Sequence, residues 1–300
     1  MPHTRYLQLD VFPAARTGGN PLGVVVDGEG FDDAQMQAIA RWTNLVETTF
    51  LLPPTTPQAD YRVRIFTPSR EIPFAGHPSV GSAHAALEAG LCSPRDGVLV
   101  QECGAGLLPV RVEGAGEDRI LLVQSPPARI LPGDAQDRAM LDALLAPFVP
   151  GKLGLSLVDG GRRWWIAEFA DVAQLRASRP SHEALATIAQ RSDSMGLAVF
   201  AREGEGVAVR AFGAGAGIVE DPASGAANGL IAAVIAQREP DGPLARGYEV
   251  SQGREIGFDA RLSVRIDADG TIWTGGKSTT VIAGNLHWPR PRRIVPTSIM

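Results

Sequence analysis

The sequence has few cysteines, few aromatic residues and no long apolar run. Cys92 and Cys103 are the only cysteines in 300 residues, which is too few for a disulfide framework, and they do not form a Cys-x-x-Cys pair. We therefore interpret them as buried or idle thiols. No stretch approaches the roughly 20 apolar residues of a membrane helix, and the N-terminus lacks a charged leader followed by an apolar segment. These absences predict a cytoplasmic protein without a membrane partner.

The sequence also lacks an excess of basic residues. Its formal net charge is −5, and the basic residues are dispersed except for RPRR at 290–293. Nothing in this distribution matches the basic patch of a nucleic-acid-binding protein, so we expect no nucleic-acid partner and interpret RPRR as a solvated segment. With 44% hydrophobic and 20% charged residues, the chain is long enough for a large core and for two domains.

Several common functional motifs are absent. GTIWTGGKST at 270–279 resembles a phosphate-binding loop, but its first glycine is one residue too far from GKS, and strand-like sequence follows. GAGAGIVEDP lacks the spacing of a dinucleotide-binding turn. His77 and His84 have no third ligand nearby, so no metal site is predicted. No Gly-x-Ser-x-Gly elbow is present for an acyl-transfer serine.

The hydrophobic pattern mixes strands and helices without strict alternation. Helical spacing of Met36, Ile39, Ala40 and Trp42 predicts a helix over 31–45 that buries these residues. PPARILPGDAQD, which begins at residue 126, is interpreted as a linker. The pattern favours a segregated α+β fold. Strands are predicted at 5–12, 22–26, 48–53, 61–66, three times within 97–125, at 162–169, 197–202 and 207–212, and again from ARLSVRID to STTVIAG; further helices are predicted at 134–147 and near 171–193.

A repeat divides the chain into two related halves. VRIF at 63–66 recurs as VRAF at 209–212, and HPSVGSA at 77–83 recurs as DPASGAA at 221–227. Chance similarity between Ala-rich segments is the alternative, but strand, loop and small-residue helix repeat together. We predict an N-terminal half of residues 1–126 and a C-terminal half of residues 127–300, with the last strand crossing back to the first half. A shared site would then lie in the cleft between them.

Each copy of the repeat opens a helix that is built from small residues. Proline in a first turn costs no hydrogen bond, and small side chains let a sheet surround the helix closely. Each helix is therefore predicted to be the buried axis of its half. If both begin at the cleft, their backbone N–H groups and positive dipole ends form an anion site that suits a carboxylate.

Three side chains are candidates for proton chemistry. Glu47 opens a strand after a helix, while His77 and Asp221 are interpreted as matching positions of the repeat. The alternatives are that Glu47 is a solvated or Arg-paired charge and that His77 and Asp221 only cap helices. An acid beside a neutral imidazole in a dry cleft has its pKa raised, as a general base for C–H abstraction requires. Together the three predict proton transfer between carbons.

Longer motifs resemble one known family. VFPAARTGGNPLGVVV, NLVETTFLL, RIFTPSREIPFAGHPSVGSA and EDPASGAANGLIAA are similar, in order and spacing, to the PhzF-like family named for a phenazine biosynthesis protein. The resemblance implies the diaminopimelate-epimerase-like fold, in which each of two similar halves is a curved, barrel-like, mostly antiparallel sheet around a central helix. It also implies a homodimer and a cofactor-free isomerase that acts on a small carboxylated, cyclic metabolite.

The resemblance also implies roles for particular residues. Glu47 would take a proton from one carbon and return it to another, with His77 and Asp221 in the substrate site. The residues expected to bind substrate or shape the cleft are Asn20, Gly76, Ser82, Ser224, Gly225 and Ala226.

Two departures from the family pattern affect substrate identity. Ala226 stands where a substrate-contacting serine is expected, and Phe258-Asp259 replace a usual Arg-Pro. Racemase relatives use paired thiols at the two helix mouths, which we take to be His77-Pro78 and Ser224-Gly225 here, so a two-thiol racemase is disfavoured. A non-catalytic protein that binds small carboxylates, and a structural or partner-binding protein, remain as alternatives.

Overall fold

The computed structural model describes residues 4–15 and 17–289, so RPRR lies outside the described residues. The described part contains seventeen strands and six α-helices. The strands are β1 Thr4–Val11, β2 Asn20–Val25, β3 Glu47–Leu52, β4 Tyr61–Phe66, β5 Glu71–Ile72, β6 Val98–Cys103, β7 Gly106–Glu113, β8 Ile120–Gln124, β9 Arg129–Leu131, β10 Pro150–Asp159, β11 Arg163–Phe169, β12 Ser194–Glu203, β13 Gly206–Phe212, β14 Gly247–Gln252, β15 Ala260–Ile266, β16 Ile272–Gly276 and β17 Ser278–Leu286. The helices are α1 Asp33–Thr43, α2 Gly76–Glu88, α3 Ala135–Leu145, α4 Val172–Ala177, α5 His182–Arg191 and α6 Gly225–Arg238, with single 3₁₀ turns at Gly116–Asp118, Ala214–Ala216 and Arg254–Ile256.

The two halves repeat the same strand pairings. In the first half, β1–β2, β3–β4, β6–β7 and β7–β8 are antiparallel, while β2–β3 and β4–β6 are parallel. The second half has the same sequence of directions from β10 to β16. Each half therefore forms a curved, mostly antiparallel sheet, and the predicted α+β arrangement is confirmed.

The two sheets are joined into one ladder. β8 pairs with β16, β9 pairs with β10, and β17 returns to pair with β1 along its whole length, from Thr4 opposite Leu286 to Val11 opposite Ser278. Hydrogen bonds thus run continuously from β17 through both halves to β9. Because the ladder does not break, the division of the chain after residue 126 stays a prediction.

Helices α2 and α6 are the buried axes of the two halves, as predicted. Nine residues of each helix are buried; those of α2 are mostly glycine, alanine and serine, while those of α6 combine glycine and alanine with four larger apolar residues. A Cβ on Gly81 would lie 2.4 Å from Leu22 Cδ2, and one on Gly229 would lie 2.5 Å from Ser125 Oγ. The sheet approaches the helices so closely that these positions take no side chain.

The strand ladder corrects the alignment of the repeat. Ile65 pairs with Ile72, and Ala211, the residue that matches Ile65 in VRIF and VRAF, bridges to Asp221. α2 begins four residues after Ile72, at Gly76, and α6 begins four residues after Asp221, at Gly225. EIPFAG at 71–76 therefore matches EDPASG at 220–225, and the predicted match of HPSVGSA with DPASGAA is out of register. Segments rich in Ala, Gly and Ser align with one another at several offsets, whereas hydrogen-bonded register selects one.

The corrected register changes which residues are equivalent. His77 matches Ala226, and Asp221 matches Ile72, so the prediction that His77 and Asp221 occupy matching positions is wrong. The two predicted helix-mouth places, His77-Pro78 and Ser224-Gly225, are therefore not equivalent: Ser224 matches Ala75.

Other differences are local. Trp42 is 70% exposed and meets Trp288 edge to face at 6.0 Å, because α1 buries only the face formed by Met36, Ile39 and Ala40. The predicted linker contains the short strand β9. Besides β9, three strands lie outside the predicted ones: β5, β10 and β14, and in β10 glycines interrupt the apolar pattern.

The remaining sequence expectations concern thiols and membranes. Cys92 and Cys103 are both free and half-buried, and burial raises the pKa of Cys92 to about 11. Among the described residues, no helix combines the length and the apolar character needed to cross a membrane.

Candidate active site between the helix N-termini

The two central helices begin beside each other. A Cβ placed on Gly76 would lie 3.6 Å from Gly225 Cα, and a Cβ placed on Gly225 would lie 3.7 Å from Gly76 Cα. This reciprocal contact places the pseudo-two-fold axis between the two glycines. The positive ends of both helix dipoles therefore meet at one point, where an anion is stabilised.

The two helix N-termini are capped differently. Ser224 caps α6, and its hydroxyl accepts a hydrogen bond from the Ala227 amide at 3.3 Å. The N-cap of α2 is Ala75, which has no side-chain acceptor, and Pro78 in its first turn has no N–H. The first turn of α2 thus keeps its backbone donors for a ligand.

Glu47 lies at the cleft beside His77. It is the first residue of β3, its side chain is 12% exposed, and its Oε2 lies 3.4 Å from His77 Nε2. Within the described residues, neither atom has a hydrogen-bond partner. Burial raises the pKa of Glu47 to about 8, and the negative charge of Asp221 acts in the same direction. The carboxyl group therefore exchanges its proton near neutral pH.

His77 is a neutral imidazole. Burial lowers the pKa of its ring to about 3, and a hydrogen bond to the backbone of Pro21 only partly opposes this effect. Since Pro21 offers a carbonyl and no N–H, the ring is the donor, and the geometry assigns that donor to Nδ1. The lone pair of Nε2 then faces Glu47 and can accept a hydrogen bond from the protonated carboxyl.

Asp221 approaches the same cleft from the second half. Its Oδ1 accepts hydrogen bonds from the Ala223 amide at 3.1 Å and from Asn20 Nδ2 at 3.5 Å. Burial raises the pKa of Asp221, against the lowering effect of the hydrogen bonds from Ala223 and Ser224. Asn20 is 1% exposed, and its Nδ2 also donates to the Ala223 carbonyl at 3.3 Å. Asn20 therefore links β2 of the first half to the loop that carries Asp221.

Gln252 was missed in the sequence. Its Nε2 donates to the Asp221 carbonyl at 2.8 Å, and its Oε1 accepts from the Ser224 amide at 3.3 Å and from Asn228 Nδ2 at 2.9 Å. It fixes the backbone on both sides of the loop that precedes α6. A polar residue at a strand end before a glycine, as in SQG at 251–253, was the available signal.

Ser82 and Ala226, two other predicted substrate contacts, lie in different environments. Ser82 is fully buried, one turn or more below the helix tip, and its hydroxyl donates to Thr49 Oγ1 at 2.9 Å. The structure does not bring Ser82 to the cleft, and its hydroxyl holds α2 against β3. Ala226 is exposed in the first turn of α6.

At the cleft, each candidate proton-transfer side chain occurs on only one member of its equivalent pair. Thr48 pairs with Phe66 in the first half and Leu197 with Phe212 in the second, so Glu47 matches Gly196. Likewise Asp221 matches Ile72 and His77 matches Ala226. Glu47 thus has no carboxyl at its equivalent position, Gly196, and the second buried carboxyl of the cleft, Asp221, occupies a position that is Ile72 in the first half. Among residues 4–15 and 17–289, no three His, Cys, Asp or Glu side chains are grouped to hold a metal ion.

The chain matches a known family over most of its length. The phenazine biosynthesis-like protein family matches residues 9–284. Antisense-enhancing sequence 1 of Schizosaccharomyces pombe is 32% identical over 295 residues, which cover 95% of this chain and 99% of that protein. Trans-2,3-dihydro-3-hydroxyanthranilate isomerase of Pseudomonas aeruginosa is 32% identical over 268 residues, covering 89% and 91% of the two chains.

A solved structure shares the architecture. The phenazine biosynthesis protein of the PhzF family from Bacillus anthracis superposes with a TM-score of 0.79 at 24% identity, covering 96% of this chain and 100% of that chain. This likeness shows the fold, and the predicted diaminopimelate-epimerase-like architecture is confirmed. With relatives named as isomerases over nearly their full length, the chain belongs to the phenazine biosynthesis-like, or PhzF-like, family and is an isomerase.

Proposed function

We propose that this isomerase needs no cofactor and moves a proton between two carbons of a small carboxylated, cyclic metabolite, with Glu47 as the acid and base. The observation that carries the proposal is the unpaired Oε2 of Glu47, 3.4 Å from His77 Nε2, in a carboxyl whose pKa is raised to about 8. A group with this pKa takes and returns a proton with little energetic cost near neutral pH.

The helix tips would hold the substrate carboxylate. Backbone N–H groups at Gly76 and Gly225 would stabilise the anion and any negative charge that develops on it during the reaction. The Cβ-free tips leave room for the carboxylate to approach the backbone. Ser224 and Ala226 would line the same wall, on either side of Gly225.

The proton path would involve one face of the substrate. Ionised Glu47 takes the proton from one carbon, the electron pair moves into the conjugated system, and the proton returns from Glu47 to a second carbon. No proton is gained or lost overall. His77 Nε2 accepts a hydrogen bond from protonated Glu47 and so orients it between the two transfers. Gly196 supplies no second acid across the axis, which favours this one-carboxylate path over a two-base racemisation.

The first substrate to test is trans-2,3-dihydro-3-hydroxyanthranilate, because relatives named for its isomerisation align over most of the chain. The reaction is run in heavy water, and deuterium in substrate and product is followed by mass spectrometry. We expect uptake with the wild-type protein and with Glu29→Gln, an exposed carboxylate of the same half. Glu47→Gln should lose it. Equal uptake by Glu47→Gln would overturn the role of Glu47.

A second candidate function is a non-catalytic protein that binds small carboxylates. The observation that favours it is Ala226, which leaves the first turn of α6 without a hydroxyl. Calorimetric binding of anthranilate without deuterium uptake from any dihydro ring acid would support this function. The homodimer stays a prediction, and sedimentation equilibrium tests it.

A further inference from the structure

A buried ion pair lies directly behind the loop that carries Asp221. Arg210 of β13 and Glu220 are both 3% exposed at the side chain, and they bind through two contacts. Arg210 Nε donates to Glu220 Oε1 at 3.0 Å, and Nη2 donates to Oε2 at 2.7 Å. The pair is a fork-to-fork contact, which fixes direction as well as distance.

The third nitrogen of Arg210 binds a different segment. Nη1 donates to the carbonyls of Leu175 at 3.3 Å and Arg176 at 3.4 Å, and also to that of Ser178. These carbonyls lie at the C-terminal end of α4, where helix carbonyls lack partners of their own. One guanidinium thus connects β13, the end of α4 and the loop before α6.

Other charged groups surround this pair. Glu255 Oε2 lies 3.9 Å from Arg210 Nε, and Glu255 Oε1 accepts from Arg176 Nη1 at 2.7 Å. Arg176 also contacts Glu203 at 3.1 Å. On the cleft side, the charged group next to Glu220 is Asp221, whose pKa the charge of Glu220 raises. The network is anchored on three elements, α4, β12 and the 3₁₀ turn after β14.

The first half contains an equivalent arginine–glutamate pair that is more exposed. Arg64 binds Glu71 through the same two contacts, at 2.8 and 2.7 Å, but these side chains are 18% and 42% exposed. The residue after Glu71 is Ile72, whereas the residue after Glu220 is Asp221. Burying an ion pair adds little net stability, because desolvation offsets the attraction. Stability therefore does not explain why the Arg210–Glu220 pair is buried. The residue next to Glu220 is Asp221, and its position in the cleft offers an explanation.

We propose that Arg210 is a positioning residue: it clamps Glu220 so that the neighbouring carboxylate of Asp221 stays in the cleft, opposite Glu47. The Asp221 amide donates to the Ala211 carbonyl at 2.8 Å, one residue beyond Arg210 on the same strand. The side chain of residue 220 and the backbone of residue 221 are thus tied to adjacent positions of β13. This inference rests on the proposed function for the role of Asp221, but the clamp itself is a property of the ligand-free protein.

The test compares Arg210→Lys with its symmetry-related control, Arg64→Lys. Lysine keeps the positive charge but has no fork, so it cannot hold Glu220 and the α4 carbonyls together. In the ligand-free proteins, the side-chain carboxyls of Asp221 and Glu47 are titrated by ¹³C NMR, and Asp221→Asn and Glu47→Gln assign the signals. Thermal unfolding of each variant is recorded in parallel.

We expect Arg210→Lys to admit water to the cleft. Burial is the largest cause of the raised pKa of both carboxyls, so both pKa values should fall toward their ordinary range. Arg64→Lys should leave both unchanged. Deuterium uptake from trans-2,3-dihydro-3-hydroxyanthranilate should fall by about 10²-fold in Arg210→Lys, as a small misplacement near the reacting atoms can cause.

The outcomes separate the two proposals. Unchanged carboxyl titrations in a folded Arg210→Lys protein, or equal shifts in Arg64→Lys, would overturn the clamp. Shifted titrations in a protein whose wild type takes up no deuterium would uphold the clamp and count against the proposed function. Should Arg210→Lys fail to fold, Glu220→Gln tests the same contact. Because the charge of Glu220 acts directly on Asp221, the readout in this variant is the pKa of Glu47, which should fall as Asp221 and its loop shift. An unchanged Glu47 value in folded Glu220→Gln would contradict the clamp.

Discussion

The two halves of this chain share one scaffold and differ in chemistry. Strand directions, a buried small-residue helix and a glycine at the helix tip occur in both. Glu47 and His77 belong only to the first half, where the second has Gly196 and Ala226. Asp221 belongs only to the second, where the first has Ile72. The proposed carboxylate site would therefore use backbone from both halves, while the proposed proton chemistry would use side chains that the halves do not share.

This difference explains how one fold can serve different reactions. The helix tips need only backbone N–H groups and close approach, so both halves must keep the glycines. Side chains around the tips can then be changed one half at a time. A two-thiol racemisation needs a reactive thiol in each half, whereas here the equivalent residues before the tip glycines are Ala75 and Ser224.

The largest expected effect is on the pH dependence of stability. The pKa of Glu47 is raised from 4.5 to about 8, so folding favours its protonated form. In the wild type, the contribution of Glu47 to the free energy of unfolding is fully present below about pH 4.5, and it is lost as the pH rises from there through about 8. Relative to the wild type, Glu47→Gln should therefore gain on the order of 4 kcal/mol between about pH 4.5 and pH 9.

Urea unfolding of both proteins at the two pH values measures this gain. Glu29→Gln is the control, and its difference from the wild type should not change with pH. If the free energy of unfolding of Glu47→Gln, relative to the wild type, changed no more with pH than that of the control, Glu47 would not titrate near neutral pH in the folded protein. The first half would then lack the property that distinguishes it from the second.

The next effect is on the pH dependence of isomerisation. If ionised Glu47 starts the reaction as proposed, kcat/KM should rise nearly tenfold per pH unit well below pH 8 and level off around it, which is about 50-fold from pH 6 to pH 8. His77 has a pKa of about 3 and should add no inflection in this range. Initial rates over this range measure the profile, and a flat profile would mean that a group other than Glu47 takes the proton.

A smaller effect tests the symmetric part of the site. The Cβ of Gly76→Ala or Gly225→Ala would meet the other tip at ordinary contact distance, 3.6 to 3.7 Å, and neither position has a positive φ. Both variants should fold with unchanged or slightly higher stability, since alanine favours a helix over glycine. Each should weaken benzoate binding about tenfold, as measured by calorimetry. Weakening by only one variant would show that the tips do not share the carboxylate.

The smallest effect concerns the exposed wall of the second tip. Ala226→Ser adds one hydroxyl at the position that matches His77. A hydrogen bond contributes about 0.5 to 1.5 kcal/mol, so anthranilate affinity should change a few-fold while stability does not. Calorimetry of the two proteins compares them. A change larger than tenfold would mean that Ala226 does more than set substrate preference.

Much of the fold could be predicted because its signals are local. Alternating apolar residues identified the strands from β1 to β4 and from β6 to β8, and small-residue runs identified α2 and α6 as buried axes. Glu47 was proposed from its place at a strand start, and His77 and Asp221 from a repeat match that is out of register. All three lie at one cleft because the helix tips meet there.

The rest depends on contacts between distant parts of the chain. Register in the repeat is decided by the hydrogen bonds of Ile72 and Asp221, which no local pattern encodes. Gln252 and Arg210 act on residues far along the sequence, so their roles require the folded strands beside them. Trp42 lies three residues after Ile39, yet α1 buries only the face formed by Met36, Ile39 and Ala40.

The central claim is that one dry carboxyl, held by the first half alone, carries the exchangeable proton. A ¹³C NMR titration of the ligand-free protein, with the Glu47 signal assigned through Glu47→Gln, tests it without any substrate. The account predicts an inflection at about pH 8 for this carboxyl. An inflection near 4.5, the ordinary value for a glutamate, would contradict it.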